Sequence, residues 1–330
     1  MKSAHRLGLG LLYSAGRALK SSASSGSGDS CHRARPSRWA DFNAGGQLLG
    51  SFLEGPCFDA NGLLYVTDIP HGRVFTVDPR GKWRLVVEYD GWPNGLKIDS
   101  TGRIFIADYR RGILQLEPKS GALEPVVDTW RSESFKGVND LCFASNGDLY
   151  FTDQGQTGLQ DPSGRVFRWR SGEGLTCLLD TAPSPNGICL NADESQLYVA
   201  MTRGNAVWRV PLMADGGTSK VGLYLQMSGG IGPDGMALDS EGGLAVAHPG
   251  TTMWRFDRFG LRTHYAAFAQ ALFITNLAYG GPGLRDLYLV DSLRGEVLRV
   301  AMPVSGHPMH SHSGSQLSRT SFQQPKETSK

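Results

Sequence analysis

The chain has 330 residues, 40% of them hydrophobic, enough to bury a sizeable core. Net charge is +2, but residues 1–38 hold seven Lys/Arg against Asp29, and residues 304–330 hold three against Glu327. That leaves 23 basic and 29 acidic residues between 39 and 303, so the body lacks the basic face that a nucleic-acid partner requires. No stretch is long and apolar enough to span a bilayer as a helix, which argues against a membrane role.

Residues 1–38 are basic, Ser-rich and almost free of acids. They read as a disordered tail or a targeting segment; a mitochondrial transit peptide has this composition. The expected location is cytoplasmic, or mitochondrial in the second case. Five cysteines, Cys31, Cys57, Cys142, Cys177 and Cys189, include no C-x-x-C, and the odd count argues against a disulfide framework.

Residues 39–303 are built from one pattern written six times. A polar anchor opens a short apolar run, a turn follows, and a second β-rich run ends in a polar residue. The clearest copy is Pro93-Asn94-Gly95-Leu96-Lys97-Ile98-Asp99, then Arg103-Ile104-Phe105-Ile106-Ala107-Asp108. The anchors are Glu54, Asn94, Asn139, Asn186, Asp234 and Asn276, spaced 40, 45, 47, 48 and 42 residues apart. Periods in the forties with several β runs each predict an all-β, six-bladed β-propeller. The sixth copy ends after three strands near Met302. The lead-in Trp39–Phe52 is therefore expected to supply the missing outer strand and close the ring. Residues 304–330, with His307, His310 and His312, read as a solvated polar tail.

In a propeller the first strand of each blade lines the central channel, so six Asn, Asp and Glu side chains converge near one mouth. Rings of carboxylate and amide oxygens suit a hard divalent cation, and Glu54 and Asp234 can balance its charge. The competing explanation is that N-G and D-G dipeptides make turns. It accounts for single copies, but not for Glu54 at the same phase. A second column, Asp68, Asp108, Asp153, Met201, His248 and Asp291, ends the second strand of each copy. These residues either hydrogen-bond within the scaffold or line the rim. Cys57, Cys142 and Cys189 each fall three residues after an anchor and read as small core residues. Expected pocket walls are Trp92, Asn94, Tyr109, Arg110, Phe135, Gln154, Gln156, Arg203, His248, Phe273 and Asn276.

Glu54-Gly55-Pro56, Asn139-Asp140, Ser184-Pro185-Asn186-Gly187, Pro233-Asp234-Gly235 and Thr275-Asn276-Leu277-Ala278-Tyr279-Gly280-Gly281-Pro282 carry a resemblance. They resemble the senescence-marker-protein / gluconolactonase / luciferin-regenerating-enzyme family. Gly137–Gly158 is closer to its bacterial and fungal gluconolactonase-like branch. The resemblance implies one divalent cation on the axis, with Ca²⁺ expected and Zn²⁺, Mn²⁺ or Mg²⁺ as alternatives, and hydrolysis of a small-molecule lactone. It implies Glu54, Asn186 and Asp234 as metal ligands. Asn139 would be a fourth ligand or hold substrate or water, and Asp234 would double as general base or nucleophile. One departure bears on specificity. The family's animal branch has a sugar-contacting Arg two residues before the Asn139 position, and this chain has Gly137. Other readings are a phosphotriesterase of the diisopropylfluorophosphatase type and a non-catalytic Ca²⁺-binding propeller. The expected assembly state is a monomer or weak homo-oligomer.

Overall fold

The computed structural model describes residues 34–312, apart from 267 and 269–271. Six blade sheets follow one another along the chain, each antiparallel with its strands in sequence order, and a two-stranded hairpin of Thr129–Trp130 with Glu133–Ser134 lies between the second and third. Blade 1 comprises Leu53–Phe58, Leu64–Asp68, Arg73–Val77 and Trp83–Glu88. The first strands of blades 2, 3, 4 and 6 are Pro93–Ile98, Val138–Phe143, Pro185–Leu190 and Ile274–Gly280. Blade 5 pairs regularly only from Met236–Leu238 onward, although Asp234 N already donates to Ala247 O at 2.9 Å. The predicted six-bladed propeller is what the chain forms.

Six apolar clusters hold it together, one on each face between neighbouring blades. Blades 3 and 4 share Cys142, Val166, Ile188, Leu197 and Val199, and blades 5 and 6 share Ala245, Met253, Leu277, Leu287 and Leu289. Each fully buried Leu, Ile or Phe contributes roughly 1.5–3 kcal/mol. The face between blades 1 and 6 is as full as the others: Leu53, Phe58, Val66, Phe75, Ala278, Tyr288, Val290 and Val297 are all buried there. Phe58 and Tyr288 meet edge to face at 4.8 Å.

That face explains a correction. Among the described residues blade 6 keeps three strands, and the lead-in does not complete it. Ser37 instead accepts a hydrogen bond from Ala40 N and caps a short helix, α1 (Arg38–Asn43). Gly45 and Gly46 then turn the chain with positive φ. The segment lies on the anchor-side mouth. Ring closure rests on the apolar face and on Ser292, whose hydroxyl donates to Leu53 O at 2.6 Å.

The tail expected from residue 304 is also corrected over its described part. Gly306 bridges to Asp239, and His307 N donates to Leu238 O at 2.9 Å. The His310 ring stacks on Phe143 at 5.1 Å, and the Ser311 hydroxyl donates to Phe58 O at 2.8 Å. This strap crosses the channel end opposite the anchors, reaching blades 5, 3 and 1. Residues 313–330 and 1–33 lie outside the described residues.

Near the axis the blades are tied by hydroxyls on the second strand or just after it. Thr67, Thr152 and Thr202 donate to Asn94 O, Asn186 O and Pro233 O of the next blade at 2.6, 2.7 and 2.8 Å. Thr152→Val is nearly isosteric and leaves a buried carbonyl without its donor. It is expected to cost about 1–3 kcal/mol, read as a lower midpoint in urea denaturation. An unchanged midpoint would show that this tie adds nothing.

Candidate functional site

Five anchors sit at a distortion in their first strand, and Asp234 stands just before the regular strand of blade 5. In blade 1, Glu54 faces Thr67 and Cys57 faces Tyr65, so two residues oppose one. Blades 2, 3, 4 and 6 carry the same kind of bulge. A bulge re-aims the side chain at that point, here toward the axis. The following glycine makes room for the next blade: a Cβ on Gly187 would lie 2.9 Å from Gly235 Cα, and one on Gly235 would lie 2.8 Å from Asn276 Cα. The N-G and D-G dipeptides are thus needed for close approach at the axis.

The ring that results is buried and polar. Glu54 is 4% exposed, Asn139 5%, Asn186 7% and Asn276 3%. Glu54 Oε2 accepts from Asn276 Nδ2 at 2.9 Å and from Gly55 N at 3.2 Å. The Asp234 carboxylate accepts a hydrogen bond from the Asn186 side chain. Asn139 Nδ2 donates to Gln154 Oε1 at 2.9 Å, and Gln154 Nε2 donates on to Ser184 Oγ at 3.0 Å. Asn94 is half-buried, and its backbone carbonyl is the acceptor for Thr67.

The two ring acids are held in an uncomfortable state. Burial pushes the Glu54 carboxyl up to about 7, its hydrogen bonds from Thr275 and Asn276 offsetting part of that push. Asp234 is raised well above the usual carboxylate range, first by burial, then by the charges of Glu54 and Asp140. Neither acid has a salt-bridge partner among the described residues. No three of His, Cys, Asp and Glu converge among those residues. The donor set is two carboxylates with amides between them. Oxygen donors with two negative charges fit a hard divalent cation.

Asp140 is a third acid, itself buried, that the repeat pattern passed over. It occupies the place of the glycine that follows the anchor in blades 1, 2, 4 and 5. Its carboxyl is raised by burial, and Lys97 at 3.6 Å opposes that rise. Lys97, Cys57, Cys142, Cys189, Ala237 and Tyr279 stand one layer below the ring. They line a cavity of about 270 Å³ reached also by His307 and His310 of the strap. Burial pushes the thiols of Cys57 and Cys189 up to about 11 and 12, so they stay protonated.

Other expected residues divide into scaffold and mouth. The second column is scaffold. Asp68, Asp108 and Asp153 accept the backbone N–H of Phe52, Trp92 and Gly137 at 2.7, 2.9 and 2.7 Å, pinning the entry to the first strand. Asp68 and Asp153 also pair with buried Arg73 and Arg165. His248 is fully buried, with Nδ1 2.6 Å from Thr251 Oγ1 and Nε2 3.0 Å from Asn205 Oδ1. Both ring nitrogens are engaged, so it ties blades and is corrected from the pocket list. Phe135 is corrected as well, because it packs edge-on against Phe151 and Phe167 at 5.4 and 5.5 Å. Phe273 packs on Phe52 at 6.0 Å.

Trp92 and Tyr109 do reach the mouth, in a row with Phe42 of α1: Phe42–Trp92 is 6.1 Å and Trp92–Tyr109 is 5.6 Å. The Tyr109 ring lies against Gly137, where a Cβ would come within 2.8 Å of Cδ2. Any side chain at 137 would displace it. A depression of about 520 Å³ opens between α1, Gln154, Gln156 and Arg203. No sequence signal pointed to α1 as part of this wall, since its helix lies far from the mouth loops along the chain.

A profile of the SMP-30/Gluconolactonase/LRE-like region matches residues 52–292. The chain belongs to this family. Among curated relatives, lactonase drp35 of Staphylococcus aureus (strain MRSA252) is 29% identical over 208 residues, covering 60% of this chain and 64% of that protein. Lactonase drp35 of Staphylococcus epidermidis (strain ATCC 12228) is 29% identical over 211 residues, covering 60% and 63%. This chain thus spans under two thirds of the length of these relatives. A solved gluconolactonase from Xanthomonas campestris superposes with TM-score 0.68 at 21% identity, covering 77% of this chain and 86% of that one. Regucalcin of Agrobacterium tumefaciens, described as a calcium-binding protein, gives TM-score 0.68 at 22% identity, covering 78% and 92%. At such identities these likenesses bear on the fold of this family member. Among the described residues, no helix is long and apolar enough to cross a membrane.

The ring acids make stability depend on pH. A carboxyl raised on folding stabilises fully below its ordinary value near 4.5, and that contribution is lost as pH rises through about 7. Chelator-treated protein is therefore expected to melt at lower temperature at pH 8 than at pH 5. Glu54→Gln flattens the slope without abolishing it, because Asp234 is raised too. Scanning calorimetry across this range checks it; a slope unchanged in the variant would show that Glu54 is not strained.

Proposed function

We propose that the anchor ring is the active site of a cation-dependent lactonase. One observation carries this reading: buried Glu54 and half-buried Asp234, two acids without salt-bridge partners, share one ring with Asn186 and Asn139. Family membership and the drp35 lactonases support a lactone as substrate, and the calcium-binding regucalcin supports a divalent cation. Glu54, Asn186 and Asp234 would hold the ion, with Asn139 as a fourth oxygen donor or a hold on water or substrate.

When bound, such a cation polarises a carbonyl oxygen and lowers the pKa of water. The chain's own residues do the rest. Asp234 takes the proton from the attacking water, or attacks the carbonyl carbon itself. Either role needs Asp234 ionised, and charge neutralisation in the ring would bring a raised carboxyl down into that form. Asn186 holds the Asp234 side chain by a hydrogen bond. Gln154 fixes the amide of Asn139, so that its Nδ2 is engaged and its oxygen is left for the axis. The surrounding ring keeps bulk water out, which strengthens every charge interaction within it.

Asp234→Asn is expected to lower lactone turnover by at least about a thousandfold, the scale of losing a nucleophile or general base. Chelator-treated wild type should lose activity and regain it with Ca²⁺, Mn²⁺ or Zn²⁺ on a lactone panel. No turnover on any lactone with any of these ions would overturn the reading.

A further inference from the structure

Arg203 is a basic group at the mouth above the ring that the scaffold does not use. It follows the second strand of blade 4 and is exposed at the edge of the 520 Å³ depression. Its guanidinium makes no hydrogen bond or ion pair with any described residue. Of the other basic groups here, Arg38 of α1 is also exposed and its charge acts on Asp90. Arg110 pairs with Asp90 at 2.6 Å and lies over the Trp92 ring at 5.5 Å. Lys136 donates to the Ser163 hydroxyl, and Arg165 lies between Asp153 and the Trp130 ring.

Arg203 is also near enough to Asp234 for its charge to lower that carboxyl's pKa. A free cation near a ring suited to a divalent cation is unfavourable on its own. An anion arriving with the substrate would offset it. The remaining walls are uncharged: Asn43, Gln154, Gln156 and Gln160 line the same depression beside the apolar Phe42 and Leu159. Gln156 Nε2 spans two of its walls, donating to Asn43 Oδ1 at 3.3 Å and to the Tyr109 hydroxyl at 3.1 Å. α1 is held in place by Trp39 on Phe52 at 4.8 Å and by Arg35 Nε donating to His71 Nδ1 at 3.1 Å. It lies outside the stretch that matches the family, 52–292. This wall is therefore a feature of the chain beyond the matched region.

We propose that the depression between α1 and Arg203 is a subsite for an anionic, hydroxylated substituent of the lactone, with Arg203 pairing the anion. The proposal rests on the reading of the ring as a lactone-opening site. A carboxylate or a phosphate supplies the same chemistry, because both accept two parallel N–H bonds from a guanidinium. The carboxamides of Asn43, Gln156 and Gln160 then serve the hydroxyl groups. Arg203 is a specificity-determining residue in this scheme and takes no part in bond breaking.

The test compares glucono-1,5-lactone, its 6-phosphate and glucaro-1,4-lactone, which keeps a free carboxylate, on the full chain. Wild type is expected to show a KM roughly tenfold or more lower for the charged lactones, the scale of one charge-assisted hydrogen-bonding pair. Arg203→Gln should raise KM for the charged lactones by about that factor, with kcat unchanged and neutral turnover within about twofold; Arg203→Lys should restore part of it. The advantage should shrink with added salt. Which charged lactone gains more identifies the group. Equal KM for neutral and charged lactones, or an equal loss on both in Arg203→Gln, would overturn the subsite. Calorimetric binding of 6-phosphogluconate separates the two claims. Binding that Arg203→Gln abolishes, without turnover of any lactone, keeps the subsite and removes the lactonase reading. Turnover without charge preference does the reverse.

Discussion

Six first strands must approach one axis closely enough for a single ring of side chains to share one site. Everything else in this molecule follows from that crowding. Backbone of one blade passes within van der Waals distance of the next, so Gly187 and Gly235 have no space for a Cβ. The bulges turn the anchors inward at the same points. Hydroxyls of Thr67, Thr152 and Thr202 then fasten the Asn94, Asn186 and Asp234 regions to the preceding blade. The same local geometry builds the scaffold and aims the site.

Crowding sets the electrostatics too. Glu54 is buried and Asp234 half-buried in one ring, and removal from water is the largest cause of their raised pKa values. A buried acid with no partner is costly, and folds keep such groups where they are used. Asp140 shows the contrast. It is as buried as Glu54, but Lys97 stands beside it, and together they form a layer under the ring. Two strained acids face the mouth and one compensated acid sits behind them.

Both ends of the propeller domain cover the channel. The N-terminal segment lays α1 beside the mouth, held by Trp39 and Arg35. The C-terminal strap crosses the opposite end through Gly306, His310 and Ser311. Neither adds a strand to blade 6. Closure without a shared outer strand works because the face between blades 1 and 6 buries as full an apolar cluster as its neighbours.

Period, strand count and the anchor column were all legible in the chain, because a repeat writes the same local instruction six times. Turn glycines, alternating apolar runs and Asn/Asp/Glu at one phase are local signals, and local signals survive in sequence. Glu54 does meet Asn276, and Asp234 meets Asn186 and the charge of Glu54. His248 and Phe135 did not join the ring, because their partners, Asn205, Phe151 and Phe167, are set by packing between strands. Lys97 beside Asp140, Arg203 near Asp234, α1 at the mouth and the strap below the ring join residues far apart in the chain. Sequence by itself determined the propeller and its ring of anchors. Only the tertiary structure decided which charges are compensated and what walls the mouth, since both depend on distances between blades that no single repeat encodes.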